Sequence, residues 1–137
     1  VLMYGSETWL LTKQDERQLR IFVRRVLRHI FGPVKDNGVW RKIYNREFYS
    51  LFKEPDVVKL IKIRRLEWAG HILHASEQRT VKKIFKTMPE GTRKIGKPKT
   101  RWEDCVRKDV RILEIQNWRR TALDRQKWWY FLKVDPT

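Results

Sequence analysis

The sequence predicts an all-α fold: a small bundle of about five helices with a basic, Gly/Pro-containing connector. Three observations lead there. Apolar residues recur at i, i+3, i+4 and i+7 over long stretches, the spacing of one helical face. Capping residues and Gly/Pro stops bracket those stretches. No segment reads convincingly as a strand. With 41% hydrophobic residues, the 137-residue chain can form one domain or two small lobes around a modest core.

Thr12 is the expected N-cap of a helix over 13–31, with Asp15 and Glu16 in the first turn, where negative charge complements the helix dipole. Leu19, Phe22, Val23, Val26, Leu27 and Ile30 supply one buried face, and Gly32-Pro33 ends the helix. Arg17, Arg20, Arg24 and Arg28 form a basic stripe on its other side. Val34 to Gly38 reads as a loop. A shorter helical stretch then offers Trp40, Ile43, Phe48, Leu51 and Phe52 to the core, with Arg41, Lys42 and Arg46 outside and Asn45 as a cap.

Glu54-Pro55-Asp56 breaks the chain, and Asp56 caps a helix over 57–74. Its apolar residues (Val57, Leu60, Ile61, Ile63, Trp68, Ile72, Leu73) cover over half the circumference, which predicts a central position. Lys59, Lys62, Arg64 and Arg65 are its expected wet side. Gly70 within it costs about 1 kcal/mol relative to Ala, which implies close approach of another backbone.

From Arg79 to Arg101 nine positive charges face only Glu90. Val81, Ile84 and Phe85 fit one short helix, beyond which Pro89, Gly91, Gly96 and Pro98 exclude regular structure. A further helix after Pro98 has the face Trp102, Cys105, Val106, Val110 and Leu113. Asn117 is the expected cap of a last helix with Trp118, Ala122, Arg125, Trp129 and Leu132 along one side. Trp128-Trp129-Tyr130-Phe131 is too dense to be wholly buried on one helix. The expected division is 1–76 as a helical bundle, 77–98 as connector and 99–137 as a C-terminal helical hairpin.

The 32 Lys+Arg against 16 Asp+Glu give a net charge of +16. A polyanion gains many ion contacts with such a chain and releases condensed counterions, so nucleic acid is the leading partner. An anionic membrane surface comes second on charge alone, and the 7 Trp, 6 Phe and 4 Tyr favour nucleic acid, since exposed ones can stack on bases. The single Cys105 excludes an internal disulfide, and His71 and His74 lack further ligands for a zinc site. No apolar run reaches transmembrane length and no signal peptide is visible, which fits a reducing, intracellular setting. Polymerase chemistry needs paired aspartates for two magnesium ions. No Asp-Asp pair occurs, and Glu103-Asp104 and Asp109 read as ordinary helix acids. Nor is there a phosphate-binding Gly-rich loop, and Cys105 lies on an apolar face. No catalytic or metal-binding residue is assigned. The candidate nucleic-acid contacts of the connector are Lys82, Lys83, Arg93, Lys94, Lys97, Lys99 and Arg101.

Five stretches occur in order along the chain: Tyr4-Gly5-Ser6-Glu7-Thr8-Trp9; Phe22-Val23-Arg24-Arg25-Val26-Leu27-Arg28; Arg65-Leu66-Glu67-Trp68-Ala69-Gly70-His71; Gly96-Lys97-Pro98-Lys99-Thr100-Arg101-Trp102; and Trp118 with Ala122, Asp124-Arg125 and Trp128. Together they resemble the region after the palm of non-LTR retrotransposon reverse transcriptases of the RTE/BovB-like kind, which join an apurinic-type endonuclease to an RNA-directed DNA polymerase. The resemblance implies a thumb and C-terminal tail that grip the backbone of a primer–template duplex. Implied partners are RNA, DNA or an RNA–DNA hybrid and the palm of the same polypeptide, with no membrane and a nuclear location. It points to Arg24, Arg25, Arg28 and His71, and to Lys97, Lys99 and Arg101, as backbone-positioning contacts. Trp9, Trp68, Trp102 and Trp118 would be core. The family usually has Arg where Lys97 stands. The chain holds no cofactor in this reading, the Mg2+-binding aspartates lying upstream of Tyr4. The apolar opening Val1-Leu2-Met3-Tyr4-Gly5, without an initiator Met, is expected of the interior of a longer polypeptide. Two other roles fit the residues: a self-standing binding module from a decayed or host-adopted element, or a protein-docking domain using Trp128 to Phe131.

Overall fold

Helices dominate, as the periodicity predicts, and their ends follow local chemistry. The computed structural model describes residues 2–87, 91–92, 94–97 and 99–133. Pro89, Glu90, Arg93 and Pro98, named in the sequence reading, lie outside them. Within them are a 3₁₀ turn at Ser6–Thr8 and seven helices. These are α1 (Lys13–Phe31), α2 (Asn45–Phe52), α3 (Val57–His74), α4 (Thr80–Lys86), α5 (Trp102–Ile112), α6 (Trp118–Leu123) and α7 (Arg125–Lys133). A two-stranded antiparallel sheet, β1 (Val34–Asp36) with β2 (Val39–Arg41), joins α1 to α2. The mainly helical class stands, while the expected count of five helices and the absence of strands do not. The chain divides into two compact units, Leu11–Leu60 and residues 1–10 with 61–137.

In the Leu11–Leu60 unit, Thr12 caps α1 reciprocally. Its Oγ1 accepts the Asp15 N–H at 3.2 Å, and its own N–H donates to Asp15 Oδ2 at 2.9 Å. The hydrogen bonds from the Thr12 side chain and backbone hold the Asp15 carboxyl below its usual range. At the other end the Gly32 N–H closes on the Arg28 carbonyl. Strands then replace the expected loop. Asn37 and Gly38 both take positive φ (49° and 86°), as a tight two-residue hairpin turn requires. Lys35 thereby pairs with Trp40, and Asp36 with Val39.

No residue of α1 is fully buried. Leu19, Val23 and Leu27 are half-buried, but Phe22, Val26 and Ile30, expected in the core, are 50%, 41% and 69% exposed. Of the arginine stripe, Arg17 is exposed, while the other three are engaged. Arg20 Nε donates to Asp56 Oδ2 at 2.8 Å, Arg24 to the Tyr49 hydroxyl, and Arg28 to Asn45 Oδ1. Facing polar groups on and beside α2 turn this edge of α1 inward, so the helix is rotated from the orientation its hydrophobic pattern alone implies. Ile43 and Phe48 form the buried centre, with Phe31 edge-on to Phe48 at 6.0 Å and Phe52 stacked on it at 6.0 Å.

Arg41 fastens the hairpin to α2. Its guanidinium grips Glu47 at 2.9 and 2.6 Å and Asp36 at 2.9 Å, while Glu47 also accepts the Tyr44 N–H. These bonds, Arg41 first, pull the Glu47 carboxyl down from 4.5 to about 2. A carboxyl lowered on folding stabilises fully above its unfolded value, and that contribution is lost as pH falls through its folded value. Thermal stability should therefore drop between about pH 4.5 and 2. In Glu47→Gln the drop should be shallower, Asp15 and Glu77 still contributing. Melting curves across that window check this, and equal slopes in the two proteins would refute it.

The second unit is built on α3, which continues into it from Ile61. Leu66, Ala69 and Leu73 pack with Val106 and Val110 of α5, Ile115, Ala122 of α6, and Trp128 and Leu132 of α7. Phe85, Trp102 and Trp118 lie partly buried against this core, and the Trp102 indole donates to the Glu7 carbonyl at 2.7 Å. Trp68, expected in the core, is 38% exposed. Arg65, expected on the wet side, is 3% exposed and bonds Asp109 at 2.7 Å and the Trp9 carbonyl at 2.8 Å. Gly70 admits the Trp128 indole, not a backbone, and a Cβ there would sit 2.5 Å from Trp128 Nε1.

The expected last helix is two. Asn117 sits at the N-cap position of α6 in the left-handed region (φ 47°) without a side-chain cap bond. Asp124 Oδ1 then accepts the Gln126 and Lys127 N–H groups and starts α7 afresh. The restart resets the helical phase, so Trp128 and Leu132 go inside and Trp129 stays out.

Candidate nucleic-acid interface

The Leu11–Leu60 unit holds a basic depression, open and about 470 Å³ in volume. Arg25, Arg28 and His29 from the end of α1 and Lys42 after β2 line it, with Ile21, Gly32, Pro33 and Ile43 as floor and rim. Arg25, His29 and Lys42 are exposed, and Arg28 is half-buried and steadied by Asn45. The His29 Nδ1 lies 3.2 Å from the Arg25 carbonyl, which leaves Nε2 for a ligand. Arg24 is half-buried against Tyr49 and does not line the depression. Helix periodicity places Arg25, Arg28 and His29 on one face. His29 was not singled out from the sequence and Lys42 was placed outside without a binding role, because only the chain reversal at Gly32-Pro33 and the hairpin unites them.

In the other unit, Lys99 and Thr100 lead into α5 and share a depression of about 320 Å³ with Asp104, Arg107, Lys108 and Arg111. Lys94, Lys97, Lys99 and Arg101 are all exposed. The Arg101 N–H donates to Asp104 Oδ2 at 2.8 Å, which fixes the turn into α5. Arg107, Lys108 and Arg111 were missed from the sequence, although their i, i+1, i+4 spacing on the face opposite Val106 and Val110 signals them. Arg107 also pairs with Glu103 at 3.0 Å.

The other sequence candidates scatter. His71 is exposed on α3, its ring stacked on Trp68 at 5.1 Å. Lys83 is exposed on α4. Lys82 is 8% exposed, and its ammonium donates to the Leu73 and Ala75 carbonyls at 2.9 and 2.8 Å while pairing with Glu77 at 2.9 Å. It closes the C-terminal end of α3, a role sequence spacing does not reveal. The Lys82 and Lys86 bonds hold the Glu77 carboxyl below its usual range. Arg93 lies outside the described residues. Cys105 is buried, and among the described residues no cluster of metal-ligating side chains occurs. No helix among them is long and apolar enough to cross a membrane.

The chain is 25% identical over 142 aligned residues to a Caenorhabditis elegans protein described as uncharacterized and transposon-derived. The alignment takes in 99% of this chain and 51% of that protein, so the chain spans about half the length of the curated relative it matches. No protein-family model matches the chain, and no solved structure matches it. The similarity supports a transposon origin.

Proposed function

We propose that this chain binds nucleic acid as the non-catalytic thumb and tail of a transposon-encoded reverse transcriptase, holding the backbone of the primer–template duplex. The observation that carries the proposal is the gathering of basic side chains at two open depressions, Arg25, Arg28, His29 and Lys42 on one unit and Lys99, Arg107, Lys108 and Arg111 on the other. Guanidinium and ammonium groups spread over helix faces and turns meet phosphates without reading bases, which gives affinity with little sequence choice. The similarity to a transposon-derived protein and the resemblance of five ordered motifs support the same reading. RNA, DNA or an RNA–DNA hybrid would be the ligand, in the nucleus, and the Mg2+ of polymerisation would be held elsewhere in the polypeptide.

Binding to an RNA–DNA hybrid, a DNA duplex and single-stranded RNA across a salt series tests it. Affinity should fall steeply with salt, with duplexes preferred, because each phosphate contact releases counterions. Replacing Lys97, Lys99 and Arg101 together by Ala should lower the slope by up to about three, roughly one per contact. Lys82→Met should lower stability and leave the slope unchanged. Weak, salt-insensitive binding to all three nucleic acids would overturn the proposal.

A second role is favoured by Trp129, Tyr130 and Phe131, which are 50%, 67% and 36% exposed on α7. Such a patch fits docking on the palm of the same polypeptide, alongside backbone binding elsewhere on the chain.

A further inference from the structure

The hairpin β1–β2 presents an aromatic surface that backbone binding leaves unexplained. Trp40 is 65% exposed at the centre of β2, and its register partner Lys35 holds an ammonium 6.0 Å from the ring centroid. Tyr44, 64% exposed, carries the Arg41 guanidinium 4.6 Å from its ring. Asp36 is the only acid between Pro33 and Arg46, and Arg41 engages its carboxylate. Lys35, Lys42 and Arg46 therefore leave this segment positive. The basic depression adjoins the hairpin at both ends: Gly32 and Pro33 run directly into β1, and Lys42 follows β2, two residues from Trp40.

We infer that Trp40 is a stacking platform for an unpaired nucleobase whose flanking phosphates sit in the Arg25–His29–Lys42 depression. The inference rests on the nucleic-acid reading above and adds to it a preference for unpaired bases on this unit. A large exposed π-face amid cations and beside an open basic hollow is the arrangement that single-strand binders use, since every base has a face to stack. Two residues of extended chain cover about 6.6 Å, comparable to the spacing of neighbouring nucleotide groups. A hairpin of two three-residue strands is weak alone, and here the bonds from Arg41 to Asp36 and Glu47 hold Trp40 in place.

The test compares the parent chain with Trp40→Ala and Trp40→Phe for binding to single-stranded RNA and to a blunt duplex of equal length, each across a salt series. Trp40→Ala should weaken single-strand binding about tenfold, a stacking loss of ordinary size. Trp40→Phe should retain most of the affinity, duplex binding should change less than twofold, and the salt slopes should stay the same. Unchanged helicity shows that the variants fold. If Trp40→Ala binds single strands as the parent does while salt-steep binding persists, the stacking role is wrong and the backbone reading stands. An equal loss on duplex and single strand also overturns the stacking role. If the parent itself shows no salt-dependent binding to any nucleic acid, the underlying reading fails instead.

Discussion

Replacing Asp109 by Ala should destabilise the chain by about 3–5 kcal/mol, a large part of the roughly 5–15 kcal/mol that holds a typical domain together. Arg65 and Asp109 are 3% and 5% exposed, one on α3 and the other on α5, joined at 2.7 Å. Without the carboxylate the guanidinium stays in the core with, among the described residues, the Trp9 carbonyl as its remaining partner, and an uncompensated buried charge is among the costliest single defects. Urea unfolding followed by circular dichroism would read the loss as a lower midpoint at unchanged slope. The double variant Arg65→Met with Asp109→Leu should recover much of it, because it removes both charges and keeps apolar volume. A loss below about 1 kcal/mol for Asp109→Ala would mean the pair is solvated in solution, like an ordinary surface ion pair.

That ion pair marks the boundary of what the sequence disclosed. Helix ends were legible because capping is local. Thr12 with Asp15 and Gly32-Pro33 bracket α1, Val57 and His74 bound α3, and both helices occupy their expected spans. The hairpin turn was equally local, and Asn37-Gly38 is its signature, but strands of three residues carry too little alternation to announce themselves. Asp124 restarting α7 belongs to the same class, a cap hidden inside a periodic stretch. Burial is another matter. It depends on which element comes to cover a face, and Arg65 meets Asp109 across 44 residues of chain. The same limit explains α1, whose apolar residues Phe22, Val26 and Ile30 form a regular stripe that stays exposed while the arginine edge finds Asp56, Tyr49 and Asn45. Of the candidate contacts, Arg28, Lys99 and Arg101 could be named from charge patterning, and Arg25 from the family resemblance. Grouping Arg28 with Lys42, or Lys99 with Arg111, needed the folded chain.

Gly70 and Trp128 give the second large effect, best read as a double-mutant cycle. Gly70→Ala replaces the poorer helix former with the better one and on propensity alone should stabilise by about 1 kcal/mol. The structure reverses the sign. The new Cβ would lie 2.5 Å from Trp128 Nε1 and 2.8 Å from Cδ1. The indole has nowhere to go, because it is 3% exposed and its N–H donates to the Leu66 carbonyl at 3.1 Å. Overpacking at such a site costs about 1–3 kcal/mol and exceeds the propensity gain. Trp128→Ala should cost about 3–5 kcal/mol through the cavity left between α3 and α7. In that background Gly70→Ala should turn from harmful to neutral or helpful, since the methyl now enters empty space and the propensity term remains. The difference between the two backgrounds is the coupling energy of the contact, expected at about 0.5–3 kcal/mol. If Gly70→Ala stabilises the parent chain and the Trp128→Ala chain alike, the indole does not lie over Gly70 in solution. The seating of α7 on α3 described above would then have to be revised.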